Sequence, residues 1–308
     1  MEAQVEMSRK KVKFRSEWFW SYLFIAPMVL GVLVFSIGPI IFSMATSFTV
    51  WNGLSTPVFN GLTNYKFIFT DPRIVAETLN TFRFVFTVVP ATLLLSLFIA
   101  NMLNKEIKGK TAFRVIYYVP NIAMPVAVAC VWKLLYNSRF GLINQFLGLF
   151  GIPQIQWLTN PAIILWAIII VAVWSNLGYN IIILLAGLQN VPPVLYEAAK
   201  LDGVNSRTVF WRITFPMISP VIFFLVTTAT MNAFRVFDLI LAFTATGSDG
   251  GMRGPLLDGF RTMVFGIYEK AFMFLNMGPA SAQAVFLFFI IISITLVQFV
   301  LQKKWVYY

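Results

Sequence analysis

Six apolar stretches run through this chain, each long enough to cross a hydrocarbon layer about 30 Å thick as a helix of about 20 residues. They lie at 19–48, 82–103, 115–136, 161–186, 216–244 and 279–301. In lipid a backbone must satisfy its own hydrogen bonds, so stretches of this length predict an all-α integral membrane protein. The third carries Pro120 and Pro125, and the fifth carries Arg235 and Asp238, so these two are the least regular. Only 11% of the residues are charged and 59% are hydrophobic, whereas a soluble domain carries about 25% charged residues. The organisation expected is one membrane domain at 19–301, between a basic N-terminal segment at 1–18 and a short tail at 302–308.

Basic residues set the expected orientation. Arg9, Lys10, Lys11, Lys13 and Arg15 precede the first stretch, and Lys105, Lys108, Lys110 and Arg114 follow the second. Lys200, Arg207 and Arg212 follow the fourth, and Lys303 and Lys304 follow the sixth. Fewer lie on the other side: Lys66, Arg73, Arg139, Arg253, Arg261 and Lys270. With an even number of spans, the positive-inside rule places both termini in the cytoplasm. The first stretch is far longer than the apolar region of a cleaved leader, about 7–15 residues, and is expected to be a retained helix.

Several function classes are excluded. The net charge of +11 is spread over the ends of apolar runs rather than along a stripe, so it does not point to nucleic acid. Without histidine, and with Cys130 as the single cysteine, the chain lacks the usual materials for a metal site or a catalytic cluster. Gly109-Lys110-Thr111 ends like a phosphate-binding loop, but Asn104 stands where the motif needs its first glycine. An ion-coupled secondary transporter would be expected to show internal repeats, and none stands out.

The loop at 190–216 carries a pattern. Asn190 is placed to cap a helix whose first turn holds Pro192 and Pro193, and Gly203 stands where such a helix would end in the left-handed region. A second short helix is expected from Asn205 or Ser206 to Pro216, where the backbone should change direction. The first helix presents Ala198 and Ala199 beside Leu195 and Leu201, a strip suited either to a partner's groove or to lipid headgroups.

Glu197-Ala198-Ala199, then Gly203, then Ile213 and Pro216, resembles the EAA loop of bacterial ABC importer permeases. The sugar-importing branch is resembled along nearly the whole chain: in Phe59 to Tyr65, Asn80-Thr81, Tyr268 to Phe272, Gly278 to Ala282 and the C-terminal Lys303 to Tyr308. Pro279 departs from the tyrosine usual there. The resemblance implies a transport subunit with no cofactor and no metal of its own. ATP and Mg would sit on a partner ATPase dimer, and a second homologous permease and an extracytoplasmic solute-binding protein would complete the assembly in a bacterial cytoplasmic membrane. Within the loop it implies that Glu197, Ala198, Ala199, Asp202, Gly203, Ile213 and Pro216 couple the chain to the ATPase.

Polar residues inside spans are costly in lipid and tend to face a cavity or the bundle interior. The candidate substrate path is Asn121, Asn176, Gly178, Tyr179, Asn180, Asn232, Arg235 and Asp238, with Gln283 in the last span and Tyr118 and Trp174 nearby. Asn176 and Asn180 share a helix face, and Arg235 and Asp238 are spaced for an internal ion pair that would neutralise itself. Neutral donors and acceptors beside aromatic faces suit a sugar. A glycerol-phosphate-type substrate is the alternative, and a paired Arg235 argues against it.

Overall fold

Where apolar runs meet prolines and buried charges, the helices of this chain bend or break, and those interruptions position the site. The computed structural model describes residues 18–105, 108–244 and 254–307. The basic cluster from Arg9 to Arg15, Arg253 and most of the glycine-rich stretch before Pro255 lie outside the described residues. In chain order the long elements are α1 (Trp18–Thr46), a short antiparallel pair of β1 (Thr49–Val50) and β2 (Val58–Phe59), α2 (Thr63–Thr70) and α3 (Pro72–Leu103). There follow α4 (Lys110–Ile122), α5 (Pro125–Leu135), α6 (Leu142–Gly148), α7 (Ile164–Gln189) and α8 (Pro193–Leu201). The C-terminal part holds α9 (Ser206–Val209), α10 (Phe215–Phe234), α11 (Asp238–Thr244), α12 (Pro255–Asp258), α13 (Met263–Tyr268) and α14 (Met277–Trp305).

Five helical runs are long and apolar enough to cross a membrane, and α4 with α5 makes a sixth that is bent by 103°. The span expected at 115–136, already irregular at Pro120 and Pro125, is therefore two helices. Met124 precedes Pro125 and adopts the extended backbone that a following proline favours, and Pro125 then opens α5. The second span starts earlier than expected, because Asp71 accepts a hydrogen bond from the Arg73 N–H at 2.8 Å and caps a helix opening on Pro72. Charged Arg73 and Glu77 had hidden that start.

The prolines at 39 and 216 do not end their helices. Each follows a turn of wider π-type winding, Leu33–Ile37 and Phe210–Thr214, closed by bonds from the Gly38 N–H to the Leu33 carbonyl and from the Phe215 N–H to the Phe210 carbonyl. The extra residue moves the carbonyl that a proline ring would strike in regular α-helix. Helix α9 thus runs through the π-turn into α10, and the expected change of direction at Pro216 does not occur. Pro279 is the third residue of α14, where its missing N–H is one of those unpaired at any helix start.

Helix α3 packs most extensively on α7, with α4 and α10 on α7's other contacts. One core cluster gathers Phe84, Ile168, Phe234, Phe243 and Phe260, and a second, at the end carrying α8, gathers Ala100, Leu184, Leu188 and Ile218. Such contacts are made by close packing rather than by escape from water. Helix α1 stands apart, its apolar stretch uncovered by the rest of the chain. Its end is pinned by Thr46 Oγ1 donating to Ser281 Oγ at 3.0 Å, and by buried Asn64, whose amide donates to the carbonyls of Ser47 and Thr49 at 2.9 and 2.8 Å.

Candidate functional site: a coupling loop and a cavity

The loop helix α8 opens on Pro193, but Asn190 is not its cap. Asn190 closes α7, its N–H bonded back to the carbonyls of Ala186 and Gly187, and the chain leaves the helix at Val191, next to a proline. At the other end the expected bend is present. Gly203 has φ +69°, its N–H donates to the Lys200 carbonyl at 3.2 Å, and the Val204 N–H donates to the Ala199 carbonyl at 3.0 Å. That crossed pair is the Schellman termination, which requires a left-handed residue where Gly203 stands. Asn205 then caps α9, its side chain accepting from the Thr208 N–H at 2.8 Å.

Helix α8 has an anchored face and an open one. Leu195 and Tyr196 pack on the second core cluster, and the hydroxyls of Tyr196 and Thr214 are 3.1 Å apart. Ala199, expected on the open face, is buried with them, because it lies three and four residues after that pair. The open face holds Val194, Glu197, Ala198 and Leu201, the last 89% exposed. Asp202 and Gly203 are exposed at its end, while Ile213 and Pro216 are half-buried in the following helix. Glu197 has no hydrogen bond or ion pair among the described residues, so this face is sterically open and chemically unused.

At the other end of α10 lies a cavity of about 340 Å³, bounded by α3, α7, α10, α11 and the α4–α5 bend. Seven of the expected path residues line it: Asn121, Asn176, Tyr179, Asn180, Asn232, Arg235 and Asp238. Gly178 does not. A side chain there would strike the backbone of Tyr117 and Tyr118, so its role is to let α4 cross α7 closely. The amides of Asn176 and Asn180 donate to the carbonyls of Ala172 and Asn176, at 2.7 and 2.8 Å, and Asn121 reaches the Ser175 carbonyl at 3.5 Å.

Arg235 and Asp238 do not pair as expected. The helix stops at Phe234, so their three-residue spacing no longer places them on one helical face. Arg235 turns back instead, its Nε donating to the Met231 carbonyl at 3.3 Å and its Nη2 to Asn232 Oδ1 at 3.0 Å. Asp238 stands in the first turn of α11. Each charge thus sits at the helix end of opposite polarity. Lys133, from α5, donates to the Ala242 carbonyl at 2.7 Å and lies over the Phe243 ring, holding α11 in place.

Residues 92–307 match the family described as binding-protein-dependent transport system inner membrane component. The chain belongs to that family. The probable ABC transporter permease protein YesP of Bacillus subtilis (strain 168) is 36% identical over 305 residues, covering 97% of this chain and 96% of the relative. The trehalose/maltose transport system permease protein MalF of Thermococcus litoralis is 33% identical over 294 residues, with 93% and 94% covered. Among solved structures, a chain of a bacterial ABC transporter involved in the import of the acidic polysaccharide alginate has the same fold. Its TM-score is 0.79 at 21% identity, over 96% of this chain and 99% of that one.

The permease also holds a set of charges that sequence reasoning did not assemble. Glu77 of α3, only 1% exposed, accepts from Gln283 Nε2 at 2.6 Å and from Lys270 Nζ at 3.2 Å, and lies 3.8 Å from Arg261 Nη1. Lys270 also reaches Gln283 Oε1 at 2.8 Å, and Arg261 pairs with Glu269 at 3.0 Å. Gln283, counted among the polar residues of the last span, belongs here and not to the cavity. The set ties the start of α3 to α14 and to the connector between α12 and α14, at the end of the bundle away from α8. The signal available was the charge itself: a carboxylate inside a helix bound for lipid needs a partner.

Proposed function

We propose that the permease forms, with a second homologous permease, the pathway of an ABC importer that carries a sugar or oligosaccharide handed over by an extracytoplasmic solute-binding protein. The assembly sits in the bacterial cytoplasmic membrane with both termini of the permease in the cytoplasm, and residues 19–301 form its membrane domain. ATP and Mg are held by a partner ATPase dimer, on which hydrolysis takes place.

The observation that carries this reading is the two-faced helix α8. Its open side, with Val194, Glu197, Ala198 and Leu201, has the small and apolar residues that a groove on an ATPase subunit would accept. Its anchored side passes any displacement through Leu195 to the core cluster built from α3, α7 and α10, and through the Tyr196–Thr214 contact to the π-turn that leads into α10. Helix α10 then runs to Asn232 and Arg235 at the cavity, about 27 Å away at the rise of an α-helix. A movement at the loop is therefore delivered to the cavity by one continuous element. Coupling of this kind requires that the ATPase bind α8 differently in its nucleotide states.

The sugar reading rests on the asparagines and Tyr179 in the cavity lining and on the sugar permeases among the similar proteins. Purification of the tagged permease from its native membrane tests the assembly. Wild type is expected to bring down an ATPase subunit, and Ala198→Trp, which places a large side chain on the open face without touching the core, is expected to lose it. Equal recovery with both would remove α8 as the docking element.

A further inference from the structure

The cavity contains two opposite charges that do not neutralise each other, and this bears on which ligands it accepts. Arg235 and Asp238 both line it and both are exposed to it, yet no ion pair joins them. Their charges are offset instead by the last turn of α10 and the first turn of α11, so each keeps hydrogen-bonding capacity toward the cavity. The guanidinium only donates and the carboxylate only accepts. Thr92 adds a third group. It is 2% exposed, lines the same cavity, and its Oγ1 has no hydrogen-bond partner. A buried hydroxyl without a partner is costly, so a ligand or water that bonds to it is favoured. The amides of Asn176 and Asn180 spend an N–H each on their own helix and keep their Oδ1 atoms as acceptors.

The lining is therefore a mixture of strong donors and strong acceptors at separate points. A hydroxyl is both donor and acceptor and finds partners at either kind of point. A carboxylate or phosphate brings acceptors alone and would meet the Asp238 carboxylate and the asparagine oxygens with no proton between them. Building on the cavity reading above, we infer that Arg235 and Asp238 are specificity-determining residues for an uncharged polyhydroxylated ligand. Arg235 holds it as a donor, and Asp238 both accepts from it and turns away its anionic counterparts. The unpaired arginine alone would favour an anion; the unpaired aspartate in the same wall reverses that preference.

The test uses the complete transporter in lipid nanodiscs, without binding protein, so that selection upstream is removed. The probes are a mixture of neutral glucose di- and trisaccharides and the matching uronates, followed by ligand-observed NMR. Wild type is expected to bind the neutral set at least tenfold more tightly than the uronates. Asp238→Asn is expected to bring the two within about threefold by admitting the uronates, and Arg235→Gln to weaken the neutral set about tenfold, as loss of a charged hydrogen bond does. Uronates bound by wild type as well as neutral sugars, or a ratio that Asp238→Asn leaves unchanged, would overturn the inference and leave the cavity as a sugar site. Binding of neither set, or binding that a cavity-filling Asn176→Trp does not reduce, would remove the sugar-site reading itself.

Discussion

Two groups of charged side chains lie within the helices of this permease, and they are satisfied in opposite ways. Around Glu77 the carboxylate is buried and its oxygens are taken up by Gln283, Lys270 and Arg261, drawn from three separate parts of the chain. Around Arg235 and Asp238 the two charges are open to a cavity, three residues apart, and compensated by helix ends instead of by each other. In the first group every member depends on the others, which suits a structural joint. In the second each member is held by its own helix and remains free to meet a ligand. Sequence spacing alone suggested the reverse: it offered Arg235 and Asp238 as the pair and gave no partner for Glu77.

Substitutions separate the two roles. Replacing Glu77 by leucine leaves Lys270 and Arg261 without their shared acceptor, and breaking a buried charged set in this way costs about 3–5 kcal/mol. Thermal unfolding of the purified transporter should show that loss, or the variant should fail to accumulate in the membrane. Gly266→Ala touches the same joint from the side, because a side chain there would strike the Glu77 carboxylate. The displaced carboxylate should cost about 1–3 kcal/mol in the same measurement, the range for overpacking a tight contact. Asp238→Asn should cost no more than about 1 kcal/mol, since no side-chain partner is lost and only the charge at the start of α11 is removed, while altering ligand preference. A destabilisation by Asp238→Asn equal to that of Glu77→Leu would erase the distinction between the two groups.

Much of this architecture was legible from residues in order. The existence of six apolar stretches, the glycine bend at 203 and the Asn205 cap depend on neighbours in sequence. The bend and the cap are found, and the stretches are helical, although the second starts earlier and the third and fifth are interrupted. Seven of the eight proposed path residues meet at one cavity because polar groups inside apolar helices have few other places to go. What stayed hidden depends on contacts between distant elements. The helix break at 235–237 contains neither proline nor glycine. It accompanies Arg235 folding back on Met231, Lys133 holding the far end of α11, and the Phe237 ring lying 5.0 Å from that of Tyr268. Gly178 read as part of a polar path because its neighbours are polar, whereas its backbone crossing with Tyr117 can be seen only in three dimensions. The turns that admit Pro39 and Pro216 are likewise set by one extra residue of winding, which a proline rule does not anticipate.

The permease is proposed to draw its work from outside itself, through the rigid bend that ends α8. Gly203 has open space around it, so Gly203→Val disturbs only the left-handed turn and leaves the core untouched. The decisive measurement is ATP hydrolysis and solute uptake recorded together in vesicles holding the complete transporter and its binding protein. Wild type should hydrolyse ATP and accumulate solute in proportion. Gly203→Val should lose uptake at least tenfold, with hydrolysis either lost or no longer responsive to loaded binding protein. Uptake and stimulated hydrolysis both at wild-type levels in Gly203→Val would contradict transmission through this loop.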